Sequence, residues 1–516
     1  MKINKLVVWR RLSGLMFFLL LLLAFTDFAG ILPTGVIRWP GYLQFVPSLL
    51  KFLYDPSILA TGFLIILLLT IIWGRIYCSW ICPLGVLQDL LGRFRNWKSK
   101  KKKKYRTLPS LRALRYTVLV IVTLLLLAGI MQPLVLTDPY SLFGKIMHNL
   151  LMPALMTINN QLSSFLVGHN IYFAKPYPAA AFHQASLWFS LAGAGLLLFL
   201  SVKYGRIYCT AWCPVGTLLG LFSRLSLFSL KISEDSCTSC GLCARACKAG
   251  CIDYHKLTID FERCVGCFNC LGACPSHGIS FQRRKAKAQN VFEPARRQNL
   301  HWLMLGTGGL ILEPQMAKAE TLQKALVPSP RRQPVLPPGA VSLERFNTVC
   351  TACHLCVSTC PTRVLRPSFL EYGLKGLFQP MLDYQASFCN FECTRCGEVC
   401  PTGAITHLLP EEKKITQLGI AAFQKLNCVV YTHETACGAC SEHCPTKAVH
   451  MVSYKNGLLI PEVNTKICIG CGACEYACPT QPYKAIYVQA HAIHAKASPP
   501  EKSPQSKEEI PEEFPF

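Results

Sequence analysis

Six runs of four cysteines have the spacing that iron–sulfur chemistry needs. Cys237, Cys240, Cys243 and Cys247 are spaced C-x2-C-x2-C-x3-C, and Cys264, Cys267, Cys270 and Cys274 repeat the pattern before Pro275. Cys350, Cys353, Cys356 and Cys360 precede Pro361, and Cys468, Cys471, Cys474 and Cys478 precede Pro479. Two variants complete the set: Cys389, Cys393, Cys396, Cys400 with Pro401, and Cys428, Cys437, Cys440, Cys444 with Pro445. In such a run three thiolates hold one [4Fe–4S] cube and the fourth crosses to the neighbouring cube. The crossing predicts six ligand sets in three two-cluster units. Cys274 joins the triad that begins at Cys237, and Cys247 joins the one at Cys264. Cys400 joins the triad at Cys350, and Cys360 joins Cys389, Cys393 and Cys396. Cys478 joins Cys428, Cys437 and Cys440, and Cys444 joins the triad at Cys468.

Other cysteine chemistries fit less well. Structural zinc sites use paired C-x2-C knuckles, not a triad followed by C-x3-C-P. A disulfide scaffold belongs to a short secreted chain, whereas this one has 516 residues and an odd total of 29 cysteines. Cys350 to His354 spells the c-type haem signature C-x-x-C-H, but both its cysteines already open a complete cluster run. Cys251 falls outside every pattern and reads as a packed free thiol, with replacement of Cys247 as a ligand the alternative. Cys389 and Cys428 stand off from their triads, on longer loops.

The N-terminal 230 residues must present these clusters to a membrane. Apolar stretches at about 12–32, 57–73, 113–131 and 184–202 each approach the roughly 20 residues needed to cross a bilayer. No A-x-A cleavage site follows the first, so it reads as an anchor and not as a signal peptide. Basic residues crowd the N-terminus, the connection 93–106 with its run Lys100 to Lys104, and the segment after the fourth stretch. That asymmetry places those three segments in the cytoplasm. The formal charge of +25 is thus a topology signal with attraction to anionic lipid, and no nucleic-acid partner is expected.

This half is an internal repeat. Gly74-Arg75-Ile76-Tyr77-Cys78-Ser79-Trp80-Ile81-Cys82-Pro83 closes the second stretch, and Gly205-Arg206-Ile207-Tyr208-Cys209-Thr210-Ala211-Trp212-Cys213-Pro214 closes the fourth. Cys78, Cys82, Cys209 and Cys213 could therefore converge. Four thiolates would suit a seventh cluster, a soft metal such as Cu(I), or a redox dithiol. The connection 133–183 carries aromatics with His148, His169 and His183, a candidate quinol pocket with a histidine as proton acceptor.

With these motifs in hand, the first 285 or so residues resemble the NapH-type membrane ferredoxins, relatives of NosR and CcoG. The carrying features are four helices, two G-R-x-Y-C-x3-C-P motifs and a two-cluster ferredoxin directly after them. The tail from about 340 resembles the NapG/MauM-type ferredoxins, so the chain reads as a fusion of the two. The resemblance implies an inner-membrane, multi-pass protein that relays electrons from the quinol pool toward a periplasmic cytochrome or reductase. It implies no catalytic side chain of its own, at most a quinol dehydrogenase component. A copper-handling or maturation factor of the NosR or CcoG kind, using the C-x3-C-P thiolates, is the alternative. Between the halves, Arg296-Arg297, the apolar run Trp302 to Leu312 and Ala317-Lys318-Ala319 have the ingredients of a twin-arginine export signal, which would place the tail in the periplasm.

The expected fold class is accordingly a membrane α-helical domain of four spans, with a fifth left open, plus α+β bacterial two-cluster ferredoxin units. The expected divisions are a membrane domain at 1–230, a cytoplasmic ferredoxin at 231–285 and a twin-arginine-like segment with Pro-rich linker at 286–340. A four-cluster ferredoxin at 341–490 and a disordered tail at 491–516 complete it.

Overall fold

The computed structural model describes residues 5–57, 60–94, 105–106, 111–173, 175–177, 184–284, 331 and 333–499. Three helices among them are long and apolar enough to cross a bilayer: Lys5–Thr26, Pro139–Gly168 and Gln184–Tyr204. Leucine- and phenylalanine-rich runs of this length bury their peptide groups in their own helical hydrogen bonds, the arrangement hydrocarbon tolerates. The second and third expected stretches form shorter helices, Gly62–Trp73 and Arg112–Leu127. The first of these stops at Gly74, whose backbone (φ 77°, ψ −167°) lies in a region open essentially to glycine alone.

The connection 133–183, expected as a surface loop, instead contains the third long helix. Asp138 caps its start by accepting from the Ser141 N–H at 2.7 Å, and Pro139 takes the first helical position, where its missing N–H costs nothing. The alternation of polar and apolar residues there had masked its helical period.

Lys5–Thr26 gives the domain its axis, rising about 33 Å over its 22 residues. At its first turn, Val7 shares an apolar cluster with Leu230, Ile232, Cys243 and Phe268 of the first ferredoxin module. At its last turn, Phe25 packs on Tyr140 and Phe143. Beside it, Gly144 lies so close to the backbone of Cys353 that a Cβ there would sit 2.2 Å from the Cys353 carbonyl oxygen. The two ferredoxin modules therefore dock at opposite ends of the helices. At the far end the C-terminal module is also held by Ser141 Oγ donating to the Thr351 carbonyl at 2.6 Å and by Arg395 donating to the Gly30 carbonyl at 3.3 Å.

Each module is a small α+β unit built twice over. In the first, strand Phe228–Ile232 pairs antiparallel with Ile279–Arg283, and Ile252–Asp253 pairs with Thr258–Ile259. Short helices Leu242–Ala246 and Asn269–Ala273 carry the third cysteine of each run. In the C-terminal module, Thr416–Phe423 pairs with Ile486–Lys496, Val449–Ser453 with Leu459–Val463, and Leu365–Pro367 with Pro380–Leu382.

Two expected boundaries move. The strand Ile486–Lys496 runs into the segment expected as a disordered tail: Ala495 and Lys496 pair with Gln417 and Thr416, while the Ala497 N–H donates to the Ile415 carbonyl at 2.7 Å. The charged residues further on had dominated the composition of that segment. Likewise Val335 and Leu336, placed in the linker, are buried, and Val335 bridges to Leu382 at the sheet edge. The twin-arginine-like segment and the lysine run lie outside the described residues.

Candidate iron–sulfur sites and a buried thiol quartet

Cysteines far apart in sequence come together in the crossed sets. One cavity is lined by Cys237, Cys240, Cys243 and Cys274, and another by Cys264, Cys267, Cys270 and Cys247. Cys389, Cys393, Cys396 and Cys360 line a third, and Cys428, Cys437, Cys440 and Cys478 a fourth. Cys400 lies among Cys350, Cys353 and Cys356, and Cys444 among Cys468, Cys471 and Cys474. The walls of the four hollows are otherwise mostly apolar, with residues such as Leu230, Val265, Val364 and Ile486. Four sulfurs around one apolar-walled hollow are the donor set a cubane needs. Burial pushes the Cys353, Cys440 and Cys471 thiols up to about 12, so metal must displace their protons.

The C-x3-C-P motifs also meet. Cys78, Cys82, Cys209 and Cys213 are all buried and lie within electrostatic reach of one another. Their clamp is reciprocal. Arg75 of the first motif donates to the Cys209 carbonyl at 2.9 Å, and Arg206 of the second donates to the Cys78 carbonyl. Gly85 and Gly216, each two residues after the motif's proline, make room for this crossing. A Cβ on Gly85 would lie 2.1 Å from the Cys78 oxygen, and one on Gly216 2.4 Å from that of Cys209. Sulfur receives hydrogen bonds as well: Gln88 Nε2 to Cys209 at 3.3 Å and the Gly216 N–H to Cys213 at 3.3 Å.

Sequence reasoning missed the residue that locks this region to the first module. Asp89, six residues beyond the first motif's Pro83, meets three cations: Arg206 at 2.8 Å, Arg10 at 2.9 Å and Lys248 at 3.0 Å. Burial would raise its pKa, but Arg206, Lys248 and Arg10 together hold the carboxyl far below the usual carboxylate range. Ser79 Oγ adds a bond to the Val265 carbonyl at 2.6 Å. The recurrence of arginine in both decapeptides was the available signal for the clamp.

Known proteins align with this division. The 4Fe-4S binding domain family matches residues 54–102 and 186–233, and another so described matches 230–253. The 4Fe-4S dicluster domain matches 349–404 and 435–482. The methylamine utilization ferredoxin-type protein MauM of Methylophilus methylotrophus is 31% identical over 198 residues, 36% of this chain and 81% of that protein. The chain belongs to the MauM ferredoxin-type family. The regulatory protein NosR of Stutzerimonas stutzeri is 25% identical over 259 residues, 47% of this chain and 30% of its own length. An uncharacterized protein of Methanocaldococcus jannaschii is 28% identical over 287 residues, 54% of this chain and 88% of its own. No solved structure matches. The protein is thus a NosR/NapH-like membrane ferredoxin joined to a MauM-type ferredoxin, and it binds [4Fe–4S] clusters.

Of the three histidines of the expected quinol pocket, His148 and His169 lie in different surroundings in this MauM-type fusion. His148 is buried, bonded through Nδ1 to Ser358 Oγ at 2.9 Å with its ring edge-on to His354. His169 is exposed against Phe165, and His183 lies outside the described residues. His354, the residue of the haem-like signature, faces the Phe378 carbonyl at 2.9 Å.

Cys251 lines the same cavity as Cys264 and Cys247, its Sγ 3.4 Å from that of Cys247. The hydrogen bond from Cys251 lowers Cys247 to about 6, while bonding to Cys247 and then to Cys264 pushes Cys251 well up. Either thiol can donate across this contact, and the spacing of the run makes Cys247 the expected ligand. Cys251→Ala is expected to keep the full iron content and to lower the potential of that cluster, since a hydrogen bond to sulfur is lost. Iron analysis with an EPR redox titration checks this. Loss of one cube's iron would reassign Cys251 as a ligand.

Proposed function

We propose that this protein carries single electrons across a membrane between the quinol pool and a periplasmic acceptor, through six cubanes held by the crossed cysteine sets. Each cluster, when bound, takes up and gives up one electron at a potential set by hydrogen bonds, charge and solvent access. The observation that carries the reading is the docking of ferredoxin modules at opposite ends of the apolar helices. Four helices run between the two ends by their contacts, two of them shorter than an ordinary span. Pro139–Gly168, though long and apolar enough to cross, starts against Thr351 of the second module and is not counted among them. Lys5–Thr26 starts at the first module and ends at the second. Tyr42 and Ser48 flank the start of Gly62–Trp73, which runs back to Cys78. Arg112–Leu127 begins with Arg115 beside Glu262 of the first module, at 3.5 Å, and is followed by Gly129 near Thr348 of the second. Gln184–Tyr204 returns from Asn149 to the first module. Residues 285–330 then connect Arg284 at one end to Arg331 at the other.

On this reading the first module faces the cytoplasm, as the positive-inside tendency of the basic segments favours, and the second faces the periplasm. At the cytoplasmic end, an apolar groove on Leu198, Phe199 and Val202 ends at Arg106 and Lys203, where a quinol tail and headgroup could lie. Within the C-terminal module the quartets run in series: the Cys389 N–H donates to the Cys471 carbonyl at 3.0 Å, which joins the two cluster pairs. The test is low-temperature EPR on the anaerobically purified protein before and after a menaquinol analogue. Cubane signals should appear with quinol; signals obtained only with dithionite would remove the quinol pool as donor. The copper-handling alternative is favoured by the buried thiol quartet, and it requires copper binding that thiol alkylation abolishes.

A further inference from the structure

We propose that Cys78, Cys82, Cys209 and Cys213 together hold one iron–sulfur cluster, and that this cluster is the step by which electrons pass through the helical domain between the two ferredoxin modules. The inference deepens the function proposed above and rests on its placing the modules at opposite membrane faces.

Three observations carry it. The first is the donor set. Each of the two regions matched by the 4Fe-4S binding domain family, 54–102 and 186–233, holds only two cysteines. Two thiolates cannot hold a cluster in the usual four-cysteine manner, but the halves supply four to one place. Among the described residues, no three His, Cys, Asp or Glu side chains converge tightly enough for a lone metal ion. That is as true of the ferredoxin quartets as of this one. The quartet shares with the ferredoxin quartets its set of four cysteines, here all buried.

The second is charge. Four thiolates around iron carry net negative charge, and a buried site must balance it. Arg75 and Arg206 are fully buried beside the quartet, and an Arg75 nitrogen lies 3.7 Å from the Cys78 sulfur. Gln88 and the Gly216 N–H donate to two further sulfurs. Arg206 is balanced by Asp89 at 2.8 Å, so Arg75 and these donors are the set left to offset a metal–thiolate anion, and an expensive one to bury around four neutral thiols.

The third is position. Arg75 donates to the Glu262 carbonyl and Ser79 to that of Val265, next to the site of Cys264, Cys267, Cys270 and Cys247. On the other side, Tyr208, adjacent to Cys209, donates to the Thr137 carbonyl at 2.7 Å. Asp138 follows, and Ser141 then bonds to Thr351 between Cys350 and Cys353. Cys78, Cys82 and Cys213 share one continuous core with Cys247 and Cys267 on one side and Cys350, Cys353 and Cys356 on the other. Along Lys5–Thr26 the quartet is level with Gly14, where Ser79 touches the helix, and Phe25 marks the far end about 16 Å on. One long gap becomes two short ones. Each passage moves a single electron: the reduced [4Fe–4S] cluster of one module loses it, the bridging site gains it, and the oxidised cluster of the other module takes it on.

The test uses the full chain, purified anaerobically, with a ruthenium photoreductant attached through Lys256→Cys, an exposed residue of the first module. Iron, acid-labile sulfide and copper are counted per chain, and freeze-quench EPR follows the C-terminal clusters after a flash. The double variant Cys78→Ser/Cys213→Ser should lose the iron and sulfide of one cluster, keep the other signals, and slow arrival at the C-terminal module at least a hundredfold. Gln88→Leu, which leaves all ligands in place, should keep the iron and shift the potential of one cluster only. Unchanged iron in the double variant with transfer intact would overturn the proposal. So would one copper per chain in the wild type that the double variant lacks. If the double variant does not fold, an iron count of six clusters in the wild type with no potential shift in Gln88→Leu would overturn it equally. Transfer that passes after a flash but never after quinol would sink the proposed donor and leave this inference standing.

Discussion

Asp89→Ala is expected to detach the first ferredoxin module from the helices. The substitution leaves Arg10, Arg206 and Lys248 around an empty place, with the Arg206 side chain 1% exposed and that of Arg10 7% exposed. Removing one partner from a buried ion pair costs about 3–5 kcal/mol, a large part of the 5–15 kcal/mol that stabilises an ordinary domain. Because Arg206 also holds the Cys78 carbonyl, the thiol quartet should loosen with it. Limited proteolysis in detergent should cut between 223 and 237 in the variant and spare the parent. Acid should act in the same direction. The Asp89 pKa is depressed in the folded state, so its contribution is fully present above the unfolded value of about 3.9 and is lost only as pH falls below that toward the folded value. Equal protease resistance in Asp89→Ala would mean that the apolar contacts of Val7 and Ile76 suffice for docking.

Removing iron should have a still larger effect, confined to the modules. Their apolar cores are thin: the second half of the C-terminal module has a buried cluster in which Cys428, Cys440, Cys444, Cys468, Cys474 and Cys478 stand beside a few residues such as Val430, Val449 and Ile486. With so many core positions given to ligands, metal binding supplies much of the folding free energy. Anaerobic chelation should abolish the β-signal of the modules in circular dichroism while the membrane helices persist. Since the ligating thiols must lose their protons to bind metal, reassembly must release protons and should weaken as pH falls. Retention of both modules in iron-free protein would show that side-chain packing alone holds them.

The chemistry was legible because cluster ligation is written in short spacings. The triads and their crossing partner are local patterns, and even the off-spaced Cys389 and Cys428 arrive at the hollows their runs predict. The meeting of Cys78 and Cys82 with Cys209 and Cys213 was legible from the repeat, since duplicated hairpins place equivalent ends together. What stayed hidden depends on long-range partners. Asp89 is one carboxylate among many until Arg10, Arg206 and Lys248 close on it from three other segments. The helix Pro139–Gly168 was obscured by its polar residues, which are buried by contacts invisible in sequence: Asn149 bonds to Ser190 Oγ at 2.8 Å, and Lys145 to the Val135 carbonyl at 2.8 Å. His148 read as a proton acceptor because its partner Ser358 lies on a different module. Cys251 needed three dimensions to be placed beside both Cys247 and Cys264.

The central claim is that this one chain conducts electrons from one membrane face to the other. The most direct measurement reconstitutes the intact protein in sealed liposomes with the first module outward, a one-electron acceptor dye trapped inside and a membrane-impermeant reductant added outside. The trapped dye should be reduced at a rate proportional to the protein incorporated, and not in empty liposomes. A dye that stays oxidised while the outward clusters show fully reduced EPR signals would contradict it.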